Sequence, residues 1–324
     1  MSLQPKVFIF ASTRLVCFPF NAIGVQSLRL PGYAEQREQP MTHPHWIDAH
    51  CHLADPRLEA GLSGVLDRAQ KAGVDRFVQG GIDPADWDRQ ELLASARPPG
   101  QILAAFGLHP MWVAENPQEA CEAALAELVR RLARPQGAVE TAGGNVPPSA
   151  PAALGELGLD HRPRFGPETR TRQLEFFQRQ LELPEGRSLP LILHVVRAHT
   201  EALQALKAVS SRRPLQGIVH SFSGSFEVAR QYLDLGFFIS VGGTMVGLQS
   251  FEKTAKTVIK LPPDRLVLET DSPDQPPPSY AGRLNEPASL WEVACAVGTL
   301  RNEAPEAVLD RSRSNLEKLF PWKP

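Results

Sequence analysis

Trp46-Ile47-Asp48-Ala49-His50-Cys51-His52-Leu53 sets two imidazoles one residue apart at the end of an apolar run. In an extended chain residues i and i+2 project to the same side, so His50 and His52 can reach one point in space. Two imidazoles held that way are half of a metal site. The chain repeats one arrangement that could supply the other half, an apolar run ending on a residue able to ligate. Gly107-Leu108-His109-Pro110, Gly155-Glu156-Leu157-Gly158-Leu159-Asp160, Leu193-His194, Val219-His220-Ser221-Phe222 and Leu268-Glu269-Thr270-Asp271-Ser272-Pro273 all have that form. Taken singly, a histidine in such a place more often caps a loop, and a carboxylate more often holds an arginine. A carboxylate in apolar context such as Glu156 is nevertheless costly to bury unless paired or metal-bound. Five of the nine histidines fall at these run ends, which convergence on one site explains better than accident.

These residues meet only if the elements bring them together. Strands are expected over 46–51, 75–80, 102–108, 152–157, 190–195, 216–221, 236–241 and 265–270. Helical patterns lie between them near 61–72, 84–96, 117–134, 169–183, 199–210, 225–235 and 250–260, with two more near 287–301 and 305–319. Runs such as Leu189-Pro190-Leu191-Ile192-Leu193 and Leu266-Val267-Leu268 are apolar throughout, as in a parallel sheet buried on both faces. Eight successive βα units predict an α/β fold, a TIM (β/α)8 barrel, with the ligand-type residues at its C-terminal face. An open doubly wound sheet is the alternative. It should carry a glycine-rich phosphate loop after the first strand, where this chain has His-Cys-His.

The 324 residues suffice for one large barrel or two ordinary domains. Apolar content of 42% with 22% charged residues is that of a soluble globular chain. A net charge of −2 and a pI near 6.5 give no global basic field to recruit nucleic acid. That still leaves room for a nuclease acting on ends or short pieces. Cys17, Cys51, Cys121 and Cys295 are scattered without a CxxC, fitting free thiols in a reducing cytoplasm. No apolar run approaches a membrane span, and a cytoplasmic location is expected. Residues 1–40 make a poor signal peptide, because Arg14 and Pro19 interrupt the chain just after the apolar Val7–Ala11. They read as a disordered arm or as a start assigned too early, with Met41 a natural start and 41–324 a single barrel domain. The Pro-, Gly- and Ala-rich stretch 135–151 reads as a flexible insertion on the bottom face, away from the chemistry.

Asp-Ala-His-Cys-His-Leu, Gly-Leu-His-Pro, Gly-Glu-Leu-Gly-Leu-Asp, His-Ser-Phe-Ser-Gly and Glu-Thr-Asp-Ser-Pro occur in that order, followed by Arg283-Leu284-Asn285-Glu286-Pro287. As a set they resemble the TatD family of metal-dependent hydrolases over about residues 46–320. Phe-Ser-Gly-Ser after His220 and Val241-Gly242-Gly243-Thr244 bring the nearer resemblance to its YjjV-like branch. The resemblance implies a barrel of the amidohydrolase superfamily, two divalent metal ions, and cleavage of phosphodiester bonds by a metal-activated water, as in a TatD-type deoxyribonuclease. It further implies that His50, His52, Glu156 and Asp271 hold one metal and that Glu156, His194 and His220 hold the other, with Glu156 bridging. Two cations about 3.5–4 Å apart need such a shared anion to offset their repulsion. Asp271, Glu156 and His109 would carry the catalysis, Asp271 also as proton acceptor and His109 against the substrate phosphate or leaving group.

Four histidine ligands favour zinc or manganese, while the resemblance keeps magnesium open. Many TatD-type sequences place Ser or Cys and then Arg after the fifth-strand histidine. Here Val195-Val196-Arg197 follows His194, so Arg197 would take over a phosphate contact. Arg162 and Arg164 after the fourth strand and Arg283 after the eighth would complete a positive rim. The expected substrate is a DNA end, single-stranded DNA or a small phosphodiester, with no membrane partner and a monomeric protein. The alternatives are a metal-dependent ester or amide hydrolase on the same barrel, and a metal-binding barrel without catalysis.

Overall fold

The computed structural model describes residues 45–134, 151–183, 189–243, 246, 251–320 and 322, with two short strands upstream. The chain divides into units 1–43 and 44–324. In the first, Phe8–Ala11 and Arg14–Cys17 pair antiparallel, Phe8 opposite Cys17. The remainder of the arm expected over 1–40 lies outside the described residues, as does the insertion expected at 135–151 except Pro151.

In the second unit, eight parallel strands alternate with helices among the described residues. They are β1 (Trp46–Cys51), β2 (Val74–Gln79), β3 in two pieces (Ile102–Leu103 and Ala105–Phe106), β4 (Ala153–Asp160), β5 (Leu191–Val196), β6 (Gly217–Val219), β7 (Phe237–Val241) and β8 (Leu266–Leu268). Neighbours in sequence are neighbours in space. The first piece of β3 pairs with β2 and the second with β4, so one strand joins what would otherwise be two sheets. Beyond the ends of β1 and β8, the Asp271 N–H donates to the His50 carbonyl (3.0 Å) and the His52 N–H to the Ser272 carbonyl (2.7 Å). These bonds tie the last strand to the first at the C-terminal rim, and the ring is a TIM barrel.

The apolar runs of the strands are buried on both sides, as expected of this architecture. Ile47, Ala49, Val78, Ala105, Ala153, Ile192, Ile218, Phe238 and Val267 fill the interior, with Leu316, Leu319 and Phe320 packed on them. Alternate residues, such as Trp46, Phe77, Leu154 and Leu193, pack outward in a second core. The outer layer holds α1 (Leu62–Lys71), α2 (Pro84–Ser95), α3 (Pro110–Glu115), α4 (Gln118–Leu132), α5 (Pro167–Glu182), α6 (His199–Ser210), α7 (Phe226–Asp234), α8 (Phe251–Lys260), α9 (Leu290–Arg301) and α10 (Pro305–Leu319).

Two departures from the expected elements bear on the site. Pairing in β3 stops at Phe106, not at residue 108. Gln180 of α5 takes over there, its side chain accepting from the Leu108 N–H (2.7 Å) and donating to the Leu108 carbonyl (3.2 Å). Helix α3 was not expected; it begins at Pro110, whose fixed φ suits a first helical turn, and His109 caps it. No helix among the described residues is long and apolar enough to cross a membrane.

Candidate metal centre

Strand β4 carries Glu156 to the middle of the C-terminal mouth, where its carboxylate is almost wholly buried, 1% exposed. Oε1 lies 3.4 Å from His50 Nε2 and 3.2 Å from His52 Nε2, the two imidazoles at the end of β1. Both nitrogens also approach Asp271 Oδ1, just past β8, at 3.5 and 3.4 Å. On its other side Oε2 lies 2.8 Å from His220 Nε2, past β6, and 3.3 Å from His194 Nδ1 on β5. His109 Nε2 is 3.7 Å from the same oxygen. Glu156 thus stands between two half-sites, and its neighbours form three overlapping triads with ligand-sized spacing: His50, His52, Asp271; His50, Glu156, His220; and His109, Glu156, His194.

Close as His220 Nε2 comes, no group meets either oxygen of Glu156 in hydrogen-bonding geometry among the described residues, and both His50 nitrogens and His52 Nδ1 are equally unmet. Unpartnered buried polar atoms are rare because each costs its full desolvation. Gly80, at the end of β2, supplies the room: a Cβ there would sit 2.4 Å from His50 Cε1, 2.7 Å from His52 Cε1 and 2.8 Å from Glu156 Oε1. Orphaned nitrogen and oxygen ligand atoms facing one cradle fit divalent metal. Without it the charges balance internally. Burial opposes ionisation of Glu156, but His220 and His50 hold its carboxyl well below the usual range. Burial likewise opposes ionisation of Asp271, but the His50 and His52 imidazoles beside it hold its carboxyl low. His52 and His220 are driven well above the usual imidazole value, the carboxylates outweighing burial.

A ring of further groups aims these side chains. Asp271 has φ +56°, a left-handed conformation unfavourable for a non-glycine residue, and its Oδ2 accepts from the Gln275 amide. Beneath His50, Asp48 accepts from the His50 N–H (3.2 Å), the Thr270 N–H (3.0 Å) and the Thr270 hydroxyl. Burial pushes its carboxyl up to about 7. Glu269 accepts from the Ser221 N–H (2.6 Å) and the Ser240 hydroxyl, and lies 3.7 Å behind His220 Nδ1. Asp160 Oδ2 is 3.3 Å from His194 Nε2. A carboxylate behind an imidazole fixes its tautomer and leaves the other nitrogen free to ligate.

His109 sits inside the cluster. Its Nδ1 accepts from the Met111 N–H (3.1 Å) and its Nε2 lies 3.2 Å from His194 Nδ1. Burial first, then His194, pulls its pKa down to about 3. Three of the four arginines expected at the rim have partners of their own. Arg162 pairs with Asp160 through Nε (2.9 and 2.8 Å) and Nη2, so it also braces the carboxylate behind His194. Arg164 pairs with Glu115 (3.6 Å) and lies over Phe165. Arg283 stacks on Tyr280 (4.2 Å) and donates to the Ser279 carbonyl. Arg197, exposed after β5 with φ +56°, has no hydrogen bond or ion pair among the described residues. Sequence reasoning passed over Asp160, Gln275, Gly80 and Asp48. Asp160 and Asp48 carried a signal, Asp160 four residues beyond Glu156 and Asp48 two before His50, each on one strand and so on the same side.

The family profile described as TatD related DNase matches residues 47–321. An uncharacterized metal-dependent hydrolase of Haemophilus influenzae is 32% identical over 285 residues, covering 85% of this chain and 99% of that protein. The uncharacterized metal-dependent hydrolase YjjV of Escherichia coli K12 is 32% identical over 276 residues, with 85% and 97% covered. The crystal structure of YjjV, a TatD homolog from the same organism, superposes with a TM-score of 0.71 over 86% of this chain and 98% of that one, at 31% identity. An organophosphorus hydrolase variant of Deinococcus radiodurans, 15% identical with a TM-score of 0.53, shares the fold.

Proposed function

The chain belongs to the TatD-related DNase family of metal-dependent hydrolases, and we propose that it cleaves phosphodiester bonds, acting on DNA ends, single strands or small phosphodiesters in the cytoplasm. The observation that carries this reading is the buried Glu156 carboxylate, its two oxygens facing separate sets of histidines and neither hydrogen-bonded. His50, His52, Asp271 and Glu156 would hold one cation, and Glu156, His194 and His220 the other. Two divalent cations there would supply Lewis-acid polarisation of the scissile group and a water acidic enough to attack at neutral pH. The histidine-rich donor set favours zinc or manganese.

The chain's own residues do the rest. Asp271, ionised and fixed by Gln275, takes the proton of the attacking water at its carboxylate. Glu269 and Asp160 hold His220 and His194 in register. Arg197 offers its free guanidinium to a phosphate oxygen. Buried Cys51 and Cys121, both free thiols, suit a reducing compartment. A second reading has a specific observation behind it: with Arg162 and Arg164 committed to carboxylates, the rim is less cationic than a phosphate backbone favours. On that reading the same centre hydrolyses a carboxylic ester or amide. Elemental analysis of the purified protein, followed by turnover assays on phosphodiester, phosphomonoester and acyl substrates, separates the two. Bound divalent metal with phosphodiester turnover abolished by chelation supports the first. Acyl turnover alone supports the second, and full activity after thorough chelation overturns both.

A further inference from the structure

We infer that Ser221, beside His220 in the second half-site, is a positioning residue for Asp271 in the first and acts through Gln275, an inference that rests on the metal-centre reading above. Ser221 serves the two half-sites with two different groups. Its N–H donates to Glu269 Oε1 (2.6 Å), the carboxylate behind His220. Its hydroxyl meets Gln275 Oε1 (2.9 Å), and the Gln275 amide nitrogen meets Asp271 Oδ2. The end of that chain fixes its direction. An ionised carboxylate can only accept, so the NH2 of Gln275 faces Asp271. The Gln275 carbonyl then faces Ser221, whose hydroxyl must donate. Both protons thus point toward Asp271, and each bond polarises the next. With Oδ2 held from behind, Oδ1 is the oxygen turned to His50 Nε2 (3.5 Å) and His52 Nε2 (3.4 Å).

Backbone strain collects along the same chain. Among the described residues five non-glycine residues have positive φ, and three of them are Ser221 (+46°), Asp271 (+56°) and Gln275 (+51°). Such conformations persist only where the surroundings hold them, and they gather at functional sites. Each of the two loops is anchored by itself. On the β6 side the Phe222 N–H donates to the Ser240 carbonyl (3.0 Å). On the β8 side the buried Asn285 amide donates to the carbonyls of Thr270 (2.8 Å), Asp274 (2.9 Å) and Gln275 (3.3 Å), and the Asp274 N–H to the Asp271 carbonyl (2.9 Å). Those bonds fix the backbone of Gln275 but not its side chain, whose χ angles each have alternative wells. The Ser221 hydroxyl selects one of them. Asp271 is then oriented before a cation arrives, and the affinity that ordering it would cost is kept.

The test uses full-length wild type, Ser221→Ala, Gln275→Met and the double variant. Alanine removes only the hydroxyl, and methionine keeps the bulk of glutamine without its amide. Zinc is titrated into metal-free protein against a chromophoric chelator, which gives the affinity of each site. With zinc bound, kcat and KM are measured on a dinucleoside phosphodiester and on p-nitrophenyl acetate. Gln275→Met should weaken one zinc site roughly 10–100-fold and leave the other as in wild type, with kcat lower and KM little changed. Ser221→Ala should give the same pattern at smaller size, and the double variant should be no worse than Gln275→Met. A serine that only stabilised its own loop would instead add its cost to that of Gln275→Met. Losses that multiply in the double variant, or zinc affinities and kcat unchanged in Ser221→Ala, overturn the inference. Should Gln275→Met fail to fold by circular dichroism, Gln275→Ala takes its place in the cycle. Wild type that turns over neither substrate overturns the hydrolase reading alone, and the zinc affinities then decide the inference.

Discussion

Asp271 is the residue on which ligation and proton transfer can be separated. Its Oδ1 faces His50 and His52, its Oδ2 is held by Gln275, and its left-handed backbone leaves it little freedom. Asp271→Asn keeps an oxygen toward His50 and His52 but removes the charge and nearly all basicity. Cation content should largely survive while turnover falls about 10²-fold or more, the usual scale for losing a general base. Metal analysis and kcat measured on one preparation check this; near-normal turnover with metal bound would leave Asp271 a ligand only. Glu269 sits one layer deeper, accepting from the Ser221 N–H and the Ser240 hydroxyl. Glu269→Gln keeps the shape but loses a charge-assisted acceptor, so it should cost less turnover and about 1–3 kcal/mol of stability, read by denaturant melts.

At the scale of elements, the end of β2 matters through an absence of bulk. The Cβ of Gly80→Ala would press on His50, His52 and Glu156 at once, none of which can retreat from its strand. Cation affinity should drop at least tenfold with the fold retained, whereas Gly61→Ala, where a Cβ meets nothing within 4 Å, should leave it unchanged. Titration of bound zinc in both variants decides. Helix α6 begins at His199, whose pKa burial, aided by Lys253, pulls down to about 4 from an ordinary 6.5. The unfolded chain binds the proton first, so this contribution to stability is present above about pH 6.5 and fades as pH falls toward 4. His199→Gln should flatten the fall in Tm across that window relative to wild type; parallel curves would remove His199 from the account. The strands were legible because Leu191-Ile192-Leu193 or Leu266-Val267-Leu268 can only be buried on both sides, and each ended on a chemically distinctive residue. Helix α3 was not, since six residues carry no periodicity and histidine is an unusual cap. The glutamines were not either. Gln180 on Leu108, Gln90 on the Gly80 carbonyl and Gln173 on the Asp160 N–H do their work across the fold, from helix surfaces where a glutamine ordinarily faces water. Arg162 read as a rim charge because its partner Asp160 could only be recognised as buried once the barrel was closed.

For the molecule as a whole, the family profile spans 47–321, leaving residues 1–40 outside it. A chain beginning at Met41 should therefore keep its turnover within about twofold and its Tm within a few degrees. A tenfold loss of turnover with the fold intact would give the arm a part in the chemistry. Helix α4 ends at Leu132 and β4 begins at Ala153, on the face opposite the mouth. Shortening the segment between them should be as neutral, by the same assay. The bonds that close the ring also set when the protein becomes active. Asp48 and Thr270, which meet beneath the centre, are 222 positions apart. A ribosome adding about 5–20 residues per second needs roughly 10–40 s to travel that distance. Throughout that interval the nascent chain has β1 beside β2 on one side only, with neither Thr270 nor Asp271 to meet it on the other. A product released before the last strand, from a broken message or a stalled ribosome, would carry the imidazoles and Glu156 but neither Asp271 nor a closed ring. Such a fragment is expected to be catalytically silent, so hydrolytic activity would begin only once the last strand had been made.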